Sequence, residues 1–151
     1  MRLNLSRRHA LTGAALLATY PMATAIRPAL AHGHPLAIKG YDPVAYFTVG
    51  KPVPGLPEIE YEWDDHRYRF ANAGHRDLFK AEPARYAPQF GNFCAMALSK
   101  GEIVVADPEN WLISDGKLYV FGKQMGPDLF RKDLPGNVTK ANANRPLLPK
   151  N

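Results

Sequence analysis

The sequence predicts a small α+β domain in which two β-hairpins are interleaved with short helices. Residues 58–63 and 66–70 alternate polar and apolar side chains, the period of a half-buried strand, and the two aspartates between them make a turn. A second pair of β-rich runs flanks Asp115 and Gly116, a pair that strongly favours a two-residue hairpin turn. Hairpins separated by short helices are typical of the α+β class.

The first half of the domain is expected to hold a short helix, a loop and the first hairpin. Pro43 suits the first position of a helix over 43–47, with Asp42 as its cap. The segment 50–57 contains three prolines and two glycines and is predicted to be a loop. The apolar residues of the hairpin share one face and are expected to point into the core; they are Ile59, Tyr61, Trp63, Tyr68 and Phe70.

Caps and composition predict the remaining elements. Asn72 is expected to cap the next helix, and Pro83 to begin a further helical turn. The β-branched residues 103–105 predict a strand. Two last helices are expected over 126–134 and 138–144, before a proline-rich tail.

Residues 1–31 have the parts of a cleaved export signal. A basic start with Arg7 and Arg8 precedes an apolar run that is much shorter than the roughly 20 residues of a membrane-spanning helix. Small-residue cleavage sites follow, one ending at Ala25 and one formed by Ala29 and Ala31. The paired arginines resemble the twin-arginine export motif; an ordinary secretory signal is the alternative. Either route predicts a periplasmic protein.

Cleavage behind Ala31 changes the charge of the protein. The whole chain carries a formal net charge of +5, but four of its 19 basic residues and none of its 14 acidic residues lie in the signal, which leaves +1. A nearly neutral chain does not predict a nucleic-acid footprint, and no second apolar stretch predicts insertion into a membrane. The remaining chain is expected to comprise a flexible lead-in over 32–37, one domain over 38–146 and a tail over 147–151.

Several separated motifs, in order along the chain, resemble one family. The matching segments are 40–47, 68–70, 75–79, 83–91, 93–95 and 111–119. Together they resemble a YHS-domain protein of the exported, stand-alone kind, over about residues 38–146. Relatives of this domain attached to heavy-metal pumps look like metal-handling modules with cysteine ligands. The resemblance therefore implies a connection with metal or with a partner protein that handles metal.

The resemblance also implies that the inherited metal site is absent. The cysteine positions of those relatives correspond to Ala45, Ala71 and His75, and two of these three residues have no group that binds metal. A zinc or soft-metal site needs about four donors in a closed shell.

A different metal site is expected at the new amino terminus if cleavage follows Ala31. The chain would then begin with His32, Gly33 and His34, whose amine, backbone amides and third-residue imidazole can form a four-nitrogen plane around Cu(II). The alternative is that two polar residues happen to follow the cleavage site. A cut after Ala25 would leave only a His-x-His pair in a flexible arm.

The single cysteine, Cys94, cannot form a disulfide within its own chain. Cys94, Met96 and His75 would supply soft ligands for Cu(I) if the fold brought them together; the alternative is that the two sulfur residues fill the core. A thiol nucleophile would need His75 or His66 as its base.

The expected function is a non-enzymatic periplasmic binding module, monomeric or weakly associated, with copper as the first candidate cofactor. A thiol-dependent redox protein or enzyme built on Cys94 is the second hypothesis, and a structural interaction domain without a ligand is the third. The sequence contains no phosphate-binding glycine loop, His-Glu-x-x-His motif or nucleophile elbow that would favour an enzyme.

Overall fold

The computed structural model describes residues 33–150, and the predicted export signal lies outside these described residues. The α+β class is confirmed, since this part of the chain forms two antiparallel two-stranded sheets and six α-helices. The strands are β1 (Leu56–Trp63), β2 (His66–Phe70), β3 (Asp107–Ser114) and β4 (Lys117–Phe121). The helices are α1 (Ala45–Thr48), α2 (Ala73–Ala81), α3 (Pro83–Tyr86), α4 (Ala95–Ser99), α5 (Gly126–Arg131) and α6 (Leu134–Ala143), with 3₁₀ turns at Ala37–Gly40 and Arg145–Leu147.

Both predicted hairpins are present. β1 pairs with β2, with Tyr61 opposite Tyr68, and β3 pairs with β4, with Leu112 opposite Tyr119. The predicted core face of the first hairpin is confirmed: Tyr68 and Phe70 are buried. The other three predicted residues are half-buried against the same core; they are Ile59, Tyr61 and Trp63. In both turns aspartate takes the left-handed conformation, which a two-residue hairpin turn requires and which aspartate tolerates better than most residues.

The caps of the middle helices agree with the sequence. Asn72 accepts a hydrogen bond from the backbone N–H of His75 at 2.8 Å and so caps α2. Pro83 stands at the beginning of α3. At α1 the cap position is Val44 rather than Asp42, and the helix begins two residues later than predicted.

The predicted strand over 103–105 is wrong. The segment is held by a single bridge between Phe93 and Val105, and the Cys94 N–H donates to the Val104 carbonyl at 2.8 Å. Its partner is an irregular stretch rather than a strand, so pairing does not extend further. Three β-branched side chains therefore stay at the surface, with Val105 61% exposed.

The helix predicted over 126–134 is divided. α5 ends at Arg131, and Asp133 then caps α6 by accepting from the Gly136 N–H at 3.1 Å. α6 therefore begins four residues before the start predicted for the last helix. Within residues 33–150, no helix is both long and apolar enough to cross a membrane.

The apolar residues form two core clusters. The first core cluster joins the first hairpin to α1 and α2, and its large members include Tyr46, Tyr68, Phe70, Phe79 and Leu118. The second core cluster joins β4 to α4, α5 and α6, and its large members include Phe90, Leu98, Tyr119, Phe121 and Phe130. The second hairpin contributes to both clusters, so it links the two halves of the domain.

Candidate functional site

A buried carboxylate organises the first half of the domain. Asp42 is 0% exposed. One of its oxygens accepts from the backbone N–H groups of Val44 and Ala45 at 2.8 and 3.3 Å. The other accepts from the Ala71 N–H at 2.9 Å and lies 2.6 Å from Nδ1 of His75. Four donors thus surround one side chain, which satisfies the rule that a buried charge must be paired and hydrogen-bonded.

The far nitrogen of the same imidazole meets a hydroxyl. Nε2 of His75 lies 3.1 Å from Oγ1 of Thr48, which lies 3.1 Å from the Val44 carbonyl. The Thr48 hydroxyl donates its proton to the Val44 carbonyl, so its oxygen can accept a hydrogen bond from Nε2 of His75. We call Asp42, His75 and Thr48 the Asp42 centre. It ties α1 to the end of β2 and to α2.

The three positions that the family resemblance assigns to cysteine ligands meet at this centre. Ala45, Ala71 and His75 all contact the Asp42 carboxylate, although 30 residues separate the outer two. Their side chains here are two methyl groups and an imidazole whose nitrogens both have partners. Within residues 33–150, no group of three or more His, Cys, Asp or Glu side chains is arranged to hold a metal ion.

The order hydroxyl, imidazole, carboxylate is also the order of a nucleophile, its base and the residue that orients the base. A nucleophilic site further needs a cavity for its substrate. The cavities described below are lined by neither Thr48 nor His75. The hydrogen bonds themselves connect α1, the end of β2 and α2.

A second arrangement, in the other half of the domain, collects sulfur. Cys94, Met96 and Met125 line one cleft of about 250 Å³. These are all the sulfur-containing residues of the described part of the chain. We call this site the sulfur cleft. It unites residues that lie 31 positions apart in the sequence.

Local structure fixes the three sulfur side chains differently. Cys94 is 7% exposed and caps α4, with its Sγ accepting from the Ala97 N–H at 3.4 Å. Met96 lies on α4 and is half-buried, and the Ser99 hydroxyl lies 4.0 Å from its sulfur. Met125 precedes α5 and is 63% exposed. The cleft therefore combines a buried thiol, that of Cys94, with an exposed thioether, that of Met125.

The lack of a side chain at Gly122 leaves space in the cleft beside Val104 and Cys94. A Cβ atom at this position would lie 2.9 Å from Cγ1 of Val104 and 3.8 Å from Cβ of Cys94. Any side chain there would push against the wall or fill the space above the thiol. Two lysines, Lys100 and Lys123, and one carboxylate, Glu102, also line the cleft. The net positive charge of these three side chains disfavours a highly charged cation more than a monovalent one.

The predicted soft-ligand trio is thus divided between two sites. The structure brings Cys94 and Met96 together, whereas His75 belongs to the Asp42 centre and does not line the sulfur cleft. Sequence reasoning missed Met125. The one available signal was a methionine placed among Gly, Lys and Gln, where no apolar periodicity predicts burial.

The residues of the predicted amino-terminal chelate are only partly described. Arg7, Arg8, Ala29, Ala31 and His32 lie outside the described residues. The His34 ring is exposed, and its Nδ1 lies 4.0 Å from a carboxylate oxygen of Asp65. An exposed pair at this distance contributes little to stability, so it would not hold the ring against a metal.

None of the family models, curated proteins or solved structures compared with this chain matches it.

Proposed function

We propose that the protein is an exported, non-enzymatic binding module that holds one Cu(I) ion in the sulfur cleft. The observation that carries this proposal is the convergence of Cys94, Met96 and Met125 on one cavity. Thiolate and thioether sulfur are soft donors and select Cu(I) over harder cations.

The donor set distinguishes among metals. A structural zinc site uses four thiolate, imidazole or carboxylate ligands, and the lining of the cleft has only two residues of this kind, Cys94 and Glu102. Calcium and magnesium require several oxygen ligands, and Glu102 is the single carboxylate in the lining of the cleft. A monovalent soft ion bound to one thiolate also adds no net charge beside Lys100 and Lys123.

Competition for Cu(I) tests the proposal. The exported protein is titrated against a chromophoric Cu(I) chelator under anaerobic, reducing conditions. We expect one equivalent to be withdrawn from the chelator, and Cys94→Ser, Met96→Leu and Met125→Leu each to weaken binding by at least about tenfold, since even outer-shell partners of a metal contribute that much. Leucine conserves the volume of methionine, so the two Leu variants keep the fold.

His34→Ala is the matched control, because it alters only the predicted Cu(II) chelate at the amino terminus. It should leave Cu(I) affinity unchanged. Equal affinity of the wild-type protein and Cys94→Ser, or no competition with the chelator, would contradict the proposal.

Export remains part of the proposal. The paired arginines and the small-residue cleavage sites of residues 1–31 support it. Intact mass of protein from a periplasmic fraction should correspond to a chain that begins at His32 or at Ile26. Uncut chain in the cytoplasm would contradict it.

A further inference from the structure

A groove unrelated to the sulfur cleft lies between the turn of the first hairpin, the loop before α4 and the C-terminal segment. Its volume is about 540 Å³, more than twice that of the sulfur cleft. This falls within the range of about 300–1,000 Å³ that small-molecule sites occupy. The two cavities share no lining residue, so whatever the groove binds is independent of copper.

The base of the groove is aromatic. Tyr68 and Phe90 are each 2% exposed, and Trp63 and Phe93 are half-buried beside them. Gly91 keeps the space above them open, since it has φ +57° and carries no side chain toward the His66 ring. Such a surface binds the flat or bulky apolar body of a small molecule.

One wall of the groove carries an oriented cation. The Arg145 guanidinium lies 5.0 Å above the ring of Phe90 and donates to Oδ1 of Asn142 at 3.1 Å. These two contacts hold the planar group at the groove. A guanidinium held in this way is suited to bind a carboxylate through two parallel hydrogen bonds. Lys150 adds a second positive charge on the same segment.

Another part of the groove lining carries negative charge. Asp64 and Asp65 form the turn of the first hairpin and line the groove. Burial raises the pKa of Tyr68, and the nearby charge of Asp64 raises it further. The field of Asp64 thus reaches the aromatic base, where it would stabilise an ammonium group.

We infer that the groove binds a small zwitterion with an apolar body, of the class of free aromatic amino acids. Its carboxylate pairs with Arg145, and its ammonium group faces Asp64. Its ring packs against Trp63 and Phe93, the half-buried members of the aromatic base. The ligand needs both charges, because a ligand with one charge would leave either Arg145 or Asp64 without an oppositely charged partner.

Calorimetry with L-phenylalanine tests this inference on the purified exported protein. 3-Phenylpropionate lacks the ammonium group, and phenethylamine lacks the carboxylate. We expect L-phenylalanine to bind at least about tenfold more tightly than either analogue, as expected for one lost charge-assisted hydrogen bond.

Two substitutions separate the walls. Arg145→Gln should weaken L-phenylalanine and 3-phenylpropionate by at least about tenfold and leave phenethylamine unchanged. Asp64→Asn should weaken L-phenylalanine and phenethylamine and leave 3-phenylpropionate unchanged. This substitution keeps the turn, because asparagine tolerates the left-handed conformation. Arg131→Gln is the matched control, since Arg131 is exposed, pairs with Asp128 on α5 and does not line the groove.

The outcomes are distinct from those of the copper experiment. Cys94→Ser should bind L-phenylalanine as the wild-type protein does. Absence of heat on adding L-phenylalanine, or equal affinity in Arg145→Gln, would overturn the inference.

Discussion

The Asp42 centre and the sulfur cleft both contain residues that bind metals in other proteins, yet they differ in what those residues still have to offer. At the Asp42 centre the carboxylate has four donors and both imidazole nitrogens have partners within the chain. In the sulfur cleft the Cys94 thiol accepts one hydrogen bond, from the Ala97 N–H at 3.4 Å, and the Met125 side chain is largely exposed. Residue type alone therefore does not indicate a binding site, because the donors of the Asp42 centre are already used within the chain.

The largest effect is expected at the Asp42 centre. Asp42→Ala leaves three backbone N–H groups and the His75 ring without their buried acceptor, so the free energy of unfolding should fall by about 3–5 kcal/mol. Urea unfolding measures it. His75→Gln should cost less, because this ring is 15% exposed and water can replace its contacts. Equal stability of Asp42→Ala and the wild-type protein would show that the centre does not hold the first half together.

The next effect concerns the sulfur cleft. At a Cu(I) concentration 100 times Kd, binding should raise the free energy of unfolding by about 2.7 kcal/mol. Met125→Leu, with tenfold weaker binding, should retain about 1.4 kcal/mol of this at the same concentration. In His75→Gln, Cu(I) should raise the free energy of unfolding by the same amount as in the wild-type protein, although this variant is less stable without copper. An increment that is lost in His75→Gln would mean that the two sites are not independent.

A third effect is the loss of stability at high pH. Buried tyrosines of both core clusters contribute to it, since burial also raises the pKa of Tyr119 in the second core cluster. Burial raises the pKa of Tyr46 and Tyr68 in the first core cluster above the ordinary value of 10.0. Because a raised pKa means that the folded state favours the neutral phenol, this stability is complete below pH 10 and is lost as the pH rises above it. Each tyrosine contributes a slope of about 1.4 kcal/mol per pH unit there.

Urea unfolding on both sides of pH 10, with tyrosinate absorbance as a second signal, measures this slope. Tyr46→Phe removes one ionising group and the 2.9 Å hydrogen bond to the Pro108 carbonyl, so it should be less stable at neutral pH and lose stability less steeply above pH 10. An unchanged slope in Tyr46→Phe would contradict the assignment.

The smallest effects compare one helix cap in each half. Asn72→Ala removes the cap of α2, and Asp133→Ala removes the cap of α6. Each should lower the free energy of unfolding by about 1 kcal/mol. Thr139→Ala, on the exposed side of α6, serves as a control that leaves both caps intact. A much larger loss at one cap would show that its residue also supports the nearby core.

The sequence was most informative where structure depends on neighbours along the chain. Asn72 as a cap and Pro83 as a helix start follow from local backbone geometry, and the Asp115 turn follows from its own conformational preference. It was least informative at 103–105, where β-branched composition predicted a strand. Strand formation requires a partner strand, and the segment that faces 103–105 through the Phe93 bridge is irregular.

The candidate sites show the same division. Cys94 and Met96 were identified as soft donors from their chemistry, but Met125 was not, because nothing near it in the sequence indicates a cavity. His75 was grouped with them and instead belongs with Asp42, 33 residues away. The spacing of residues along the chain predicts neither the contact of His75 with Asp42 nor the position of Met125 in the sulfur cleft.

Local sequence alone determined the α+β class, both hairpin turns and the starts of α2 and α3, since these follow from side-chain period, capping and backbone preference within a few residues. Tertiary packing decided which polar groups satisfy one another and which sulfur atoms share a cleft. Those outcomes depend on contacts between distant segments, whose free energy is fixed only when the two core clusters form.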